Sequence, residues 1–170
     1  QGLHPQLDVA VLTAAAGLPA YEISNHAAPG QESRHNLTYW RYQDYIGIGP
    51  GAHGRRRNVA TVRHKKPENY LSAVADHSHG IAEARMLDRR EQASEALLMG
   101  LRLGEGIDLA AIGGRFDVTT SDLIDASKMA LYQDLGLVWS KEEKIGVTAQ
   151  GMPLLDALLG ELVQADLVAS

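Results

Sequence analysis

The chain has 170 residues, 45% hydrophobic and 22% charged, with a formal net charge of −5 and no cysteine. That length accommodates one domain or two small ones, and the composition is ordinary for a globular protein. No apolar run approaches the roughly 20 residues of a membrane span, nothing resembles a secretory signal, and disulfides and thiolate-bound metals are excluded within these residues. These features predict a cytoplasmic protein that is not integral to a membrane.

Leu7, Val11, Leu12 and Ala15 lie at helical spacing, and Gly17-Leu18-Pro19 ends the pattern. "AYEIS" alternates and reads as a strand, "NHAAPGQESRHN" as a loop, and "YIGIG" as a second, buried strand. Helix, strand, loop and strand are an α/β signature. "RRRNVATVRHKKP" reads as an edge hairpin. Pro67-Glu68 opens a helix that Gly80 stops.

From residue 88 the pattern becomes mostly helical. Asp88 and Glu91 form a capping box ahead of "REQASEALLMGLRL", whose apolar face is Ala93, Ala96, Leu97, Gly100 and Leu101. "IDLAAIGGRF" reads as a short helix. Thr119 or Thr120 caps a further helix with Leu123, Ile124, Leu131 and Leu135 inward, ended by Gly136. "LVWS-KEEK-IGVT" is two short strands around a charged turn, and "PLLDALLGELV" a last amphipathic helix opened by Pro153. Three helices, a small β wing and one more helix predict a winged-helix-like domain.

Charge separates the two parts. Residues 1–87 carry nine Lys/Arg against seven Asp/Glu, and residues 88–170 carry seven against fourteen. The acidic half argues against nucleic acid as a partner. The helix that would enter a groove, residues 120–135, carries Asp122, Asp125 and Asp134 against Lys128 alone, whereas nucleic-acid affinity depends on neutralising phosphates. The basic segment from Arg55 to Lys66 reads as a charged edge hairpin or as an anion contact.

Gly49-Pro50-Gly51-Ala52-His53-Gly54 matches G-x-G-x-x-G in letters only. A dinucleotide fingerprint opens a helix, and Arg55-Arg56-Arg57-Asn58 has no apolar face to build one. The glycines read as a tight turn at a strand end or as a close approach of backbone to a cofactor. His35 stands in a polar stretch beside Asn36 and upstream of Tyr39. It is either a solvated loop residue or an iron ligand, a role open to imidazole and tyrosinate alike. His77 and His79 read as surface residues, and His53 as a polar contact near the glycines.

The order of segments resembles a known family. "YEISNHAAPGQESRHNLTYWRYQDYIGIGPGAHGRR" resembles a contiguous stretch of the HemW branch of the oxygen-independent coproporphyrinogen III oxidase-like radical-SAM proteins. "EALLMGLRLGEGID" and "DLGLVWSKEEKIGVTAQGMPLLDALL" resemble that family's C-terminal domain. The resemblance implies an α+β or α/β remnant. Residues 1–66 would be the last strands of a radical-SAM partial barrel with an edge hairpin, 67–87 a connecting helix and linker, and 88–170 a winged-helix-like domain. It implies S-adenosylmethionine and a [4Fe–4S] cluster in a longer parent protein, the cluster ligands being absent here, so that this chain alone would be inactive. His35, Asn36 and Tyr39 fit the H-N-x-x-Y feature associated with the haem-chaperone branch. They imply haem binding, with His35 as axial iron ligand, Tyr39 as second ligand or stacking group, and Asn36 as orienting partner. Gly47, Ile48, Gly49, Pro50, Gly51 and Ala52 would face S-adenosylmethionine. Haem and haem-accepting proteins are the implied partners, with association between copies through exposed barrel faces. The alternatives are a coproporphyrinogen III oxidase, which decarboxylates two propionates, and a winged-helix interaction module without ligand.

Overall fold

A computed structural model describes residues 5–163, with side chains from residue 9 onward. The elements in chain order begin with α1 (Pro5–Ala15), α2 (Arg34–Trp40), β1 (His53–Arg56), β2 (Val59–Arg63), α3 (Pro67–His77) and β3 (Ile81–Met86). There follow α4 (Arg89–Gly100), β4 (Ile107–Asp108), α5 (Leu109–Phe116), α6 (Thr120–Leu123), α7 (Ala126–Asp134), β5 (Val138–Lys141), β6 (Lys144–Val147) and α8 (Leu155–Leu162). The fold is mixed, with helices and two small sheets. The chain divides into two compact units, residues 43–88 and the remainder.

The smaller unit is an antiparallel sheet in the order β1-β2-β3, with α3 alongside in sequence. The expected hairpin is present, with Arg57 and Asn58 in left-handed conformations at its turn. β3 adds a third strand that the reading of the sequence did not contain. α3 ends on a left-handed Ser78, two residues before the expected stop at Gly80. "YIGIG" is not a buried strand. It makes one bridge, Tyr45 to Arg55, and leaves Ile46 and Ile48 exposed. With a single bridge there is no ladder to hold both faces under cover.

The larger unit holds the main core. α4 contributes Ala93, Ala96 and Leu97, packed with Leu101, Phe116, Leu123, Leu155, Leu158 and Leu162. The wing is a sheet in the order β4-β6-β5, turned at Glu142, which has φ 55°. Trp139 of β5 lies across Gly146 of β6. A Cβ at residue 146 would come within 2.4 Å of the indole. Gly146→Ala is therefore expected to cost about 1–3 kcal/mol of stability through overpacking, read as a lower urea midpoint with an unchanged slope.

The helix predicted after Thr119 is two helices. Thr119 and Asp122 form a capping box over the short α6, and Ile124 is extended. Asp125 then caps α7 by accepting N–H bonds from Ser127 and Lys128. The break resets the helical phase, so Leu131 and Leu135 point outward rather than into the core, 48% and 55% exposed. In α1, Val11 and Leu12 are likewise exposed. "AYEIS" forms two isolated bridges, Ala20 to His26 and Glu22 to Leu103, instead of a strand ladder.

Surface polar contacts on these helices couple stability to pH. The Thr119 hydroxyl holds Asp122 below its ordinary carboxylate range, and the Ser127 hydroxyl does the same for Asp125. Glu161 accepts from Lys128 Nζ and from Tyr132 Oη at 2.9 Å. The ammonium lowers Glu161, and Glu161 in turn raises both Lys128 and Tyr132. Lowered carboxylates bind fewer protons in the folded chain, so their contribution is present above the unfolded values near pH 4 and lost as pH falls. The raised Lys128 and Tyr132 contribute below about pH 10, and that contribution is lost as pH rises further. The urea midpoint is expected to fall below about pH 4.5 and above about pH 10, with both limbs shallower in Glu161→Gln. A midpoint unchanged between about pH 5 and pH 3 contradicts this.

Candidate functional site

The stretch containing His35, read from sequence as loop, is the start of a helix. Ser33 caps α2, its Oγ accepting from the Asn36 amide at 3.4 Å. The signal was in the sequence, since serine before a helical turn is a preferred cap. Helical spacing then places His35 and Tyr39 on one face, four residues apart. Their rings meet edge to face, with centroids 4.7 Å apart and planes at 82°. His35 is exposed, and neither ring nitrogen has a hydrogen-bond partner among the described residues. Asn36 turns to another face, where its side-chain amide donates to Tyr21 Oη at 3.2 Å. The structure thus brings His35 and Tyr39 together and ties Asn36 to the preceding segment. Tyr21 was missed as a supporting residue. Its place in an alternating run was the available signal.

The end of α2 is anchored by charge and aromatic contact. Arg41 makes a two-pronged ion pair with Glu105, at 3.0 and 3.1 Å. That carboxylate raises the Arg41 pKa above its ordinary value. The Arg102 guanidinium lies 5.7 Å from the Trp40 ring centroid. Tyr42, buried and left-handed, donates its hydroxyl to Glu95 and stacks edge-on against Phe116. Helix α2 is therefore held at both ends, while His35 stays exposed and Tyr39 is half-buried.

Gly47, Ile48, Gly49, Pro50, Gly51 and Ala52 fall in the smaller unit. They lead through a turn at residues 49–51, with φ 94° at Gly49 and 72° at Gly51; Gly47 is buried, Gly49, Gly51 and Ala52 are half-buried, and Ile48 and Pro50 are exposed. β1 follows, and no helix opens here. Gly47 has a local reason to lack a side chain: a Cβ there would lie 2.0 Å from the His53 carbonyl oxygen. Ile48 is 85% exposed. His53, on β1, is exposed too, as are His77 and His79.

Residues 87–154 match the HemN C-terminal domain. The chain is 32% identical over 152 residues to "Heme chaperone HemW" of Bacillus subtilis, covering 87% of this chain and 40% of that protein. It is 34% identical over 159 residues to "Radical S-adenosyl methionine domain-containing protein 1, mitochondrial" of Bos taurus, covering 87% and 36%. The chain belongs to the HemW/HemN-like radical-SAM family. This HemW/HemN-like chain also shares its fold with the structure described as "Coproporphyrinogen III oxidase (HemN) from Escherichia coli is a Radical SAM enzyme". The TM-score is 0.69 at 18% identity, over 92% of this chain and 41% of the other. At that identity the likeness speaks for fold alone. The HemW/HemN-like chain spans about 40% of the length of the Bacillus relative.

A radical-SAM cluster needs thiolates. The 170 residues contain no cysteine, and among the described residues no three His, Cys, Asp or Glu side chains group to hold a metal. The residues present do not fit a [4Fe–4S] cluster, and no chemistry is assigned through one. Among the described residues no helix is long and apolar enough to cross a membrane.

Proposed function

We propose that this chain is the haem-contacting and C-terminal part of a HemW-like haem chaperone, acting in the cytoplasm and passing haem to haem proteins. The observation that carries the reading is the exposed His35 in ring contact with Tyr39 on one face of α2, within an intact His-Asn-x-x-Tyr. An exposed imidazole with no competing hydrogen bond is suited to an axial iron ligand. Tyr39, in edge contact with it, supplies a second ligand or a stacking surface. Asn36, fixed by Tyr21, orients the helix. Relatives named as haem chaperones agree with this reading.

In the same reading, residues 1–66 are the end of a radical-SAM barrel, 67–87 a connector, and 88–170 the winged-helix-like domain. Residues 47–52 face S-adenosylmethionine in the assembled parent. The exposed Val11, Leu12, Ile46 and Ile48 are surfaces on which two copies associate.

Titrating the 170-residue chain with ferric haem tests the proposal. A saturable shift of the Soret band at one equivalent is expected. A spectrum identical to haem in buffer at all ratios overturns it.

A further inference from the structure

The larger unit contains a cavity of 350 Å³ that the haem reading does not use. Small-molecule sites begin at about 300 Å³, so the volume suffices for a compact ligand. The walls are mostly apolar and include Ile23, Trp139, Val147 and Met152. Glu22 also lines the cavity and is only 2% exposed. Its carboxylate accepts from the Ser24 amide at 3.3 Å and from the Asn25 side-chain amide. Both donors are neutral. Among the described residues no lysine, arginine or histidine forms an ion pair with it. His26 lines the same cavity, but its Nδ1 is engaged 2.8 Å from Thr13 Oγ1.

A buried carboxylate without a countercharge is costly, and neutral donors offset only part of that cost. Glu22 is also held in place. It bridges to Leu103, and the next amide, Ile23, donates to the Arg102 carbonyl at 3.0 Å. The carboxylate is therefore fixed on the unit that supplies Trp139 and Met152. An aromatic face and a thioether suit a flat or aliphatic body, and the carboxylate suits its charge.

We propose that this cavity binds an organic cation, a primary amine or guanidinium on an apolar stem, with the charge at Glu22 and the stem between Trp139 and Met152. The same chemistry is presented by a free amine and by a lysine side chain, and the test separates them.

The 170-residue chain, labelled with nitrogen-15, is titrated with 2-phenylethylamine, with 2-phenylethanol as the uncharged match, and with N-acetyl-lysine methylamide. The amine is expected to move the Trp139 indole and Gly104 amide signals and to bind at least about tenfold more tightly than the alcohol. If only the lysine derivative does so, the site takes a protein side chain. Glu22→Gln removes the preference for charge. Ala149→Phe, a change at an exposed position on the cavity wall, weakens amine and alcohol alike and serves should Glu22→Gln fail to fold. Equal binding of amine and alcohol by the unaltered chain, no binding of any probe, or shifts confined to other regions overturn the proposal. None of these outcomes depends on whether haem binds.

Discussion

Leu97→Ala is expected to destabilise the larger unit by about 2–5 kcal/mol. Leu97 is fully buried in α4, between the small residues Ala93 and Ala96 and the larger Leu101, Phe116 and Leu123. Truncation removes apolar area from the centre of the core, and the other buried residues of α4, Ala93, Ser94, Ala96 and Gly100, are too small to fill the space. The loss appears as a lower urea midpoint at constant slope. Leu12→Ala, at an exposed position of α1, is the contrast, with a change within about 0.5 kcal/mol. A loss below about 1 kcal/mol for Leu97→Ala would mean that the core repacks around the gap.

His35→Ala is expected to weaken haem binding by at least about tenfold, equivalent to 1.4 kcal/mol, while leaving the urea midpoint within about 0.5 kcal/mol. The separation follows from the geometry. His35 is exposed and contacts the fold through the Tyr39 ring, so its removal deletes a ligand rather than a support. Tyr39→Phe keeps the ring contact and removes the hydroxyl. If Tyr39 acts by stacking, this variant binds as the unaltered chain does. If it ligates iron, the variant falls with His35→Ala. Unchanged affinity in His35→Ala removes the iron-ligand role from that residue.

Features built from short-range chemistry were legible in the sequence. The wing follows from two alternating runs around Lys141-Glu142-Glu143-Lys144, and α8 from its leucines behind Pro153. Where two local signals compete, the sequence pattern misleads. Ile124 turns extended and ends one helix, and Asp125, accepting N–H bonds from Ser127 and Lys128, starts another inside a run that reads as continuous. At Ser33 the reverse holds: glycine, proline and polar residues upstream mask the cap, and the start of α2 reads as loop. "YIGIG" has the composition of a buried strand, yet burial requires a second ladder, which no local pattern supplies. The Glu22 cavity has no sequence signature at all, because Glu22, Trp139 and Met152 meet only through the fold. His35, Asn36 and Tyr39 stood out by resemblance, and the helix explains why two of the three share a face.

If haem iron is held on α2 through His35, the imidazole leaves a spectroscopic signature. The most direct measurement is the low-temperature electron paramagnetic resonance spectrum of ferric haem bound to the 170-residue chain and to its His35→Ala variant. An imidazole-ligated signal is expected in the first, lost in the second and restored by adding free imidazole. Identical spectra from the two proteins would contradict it.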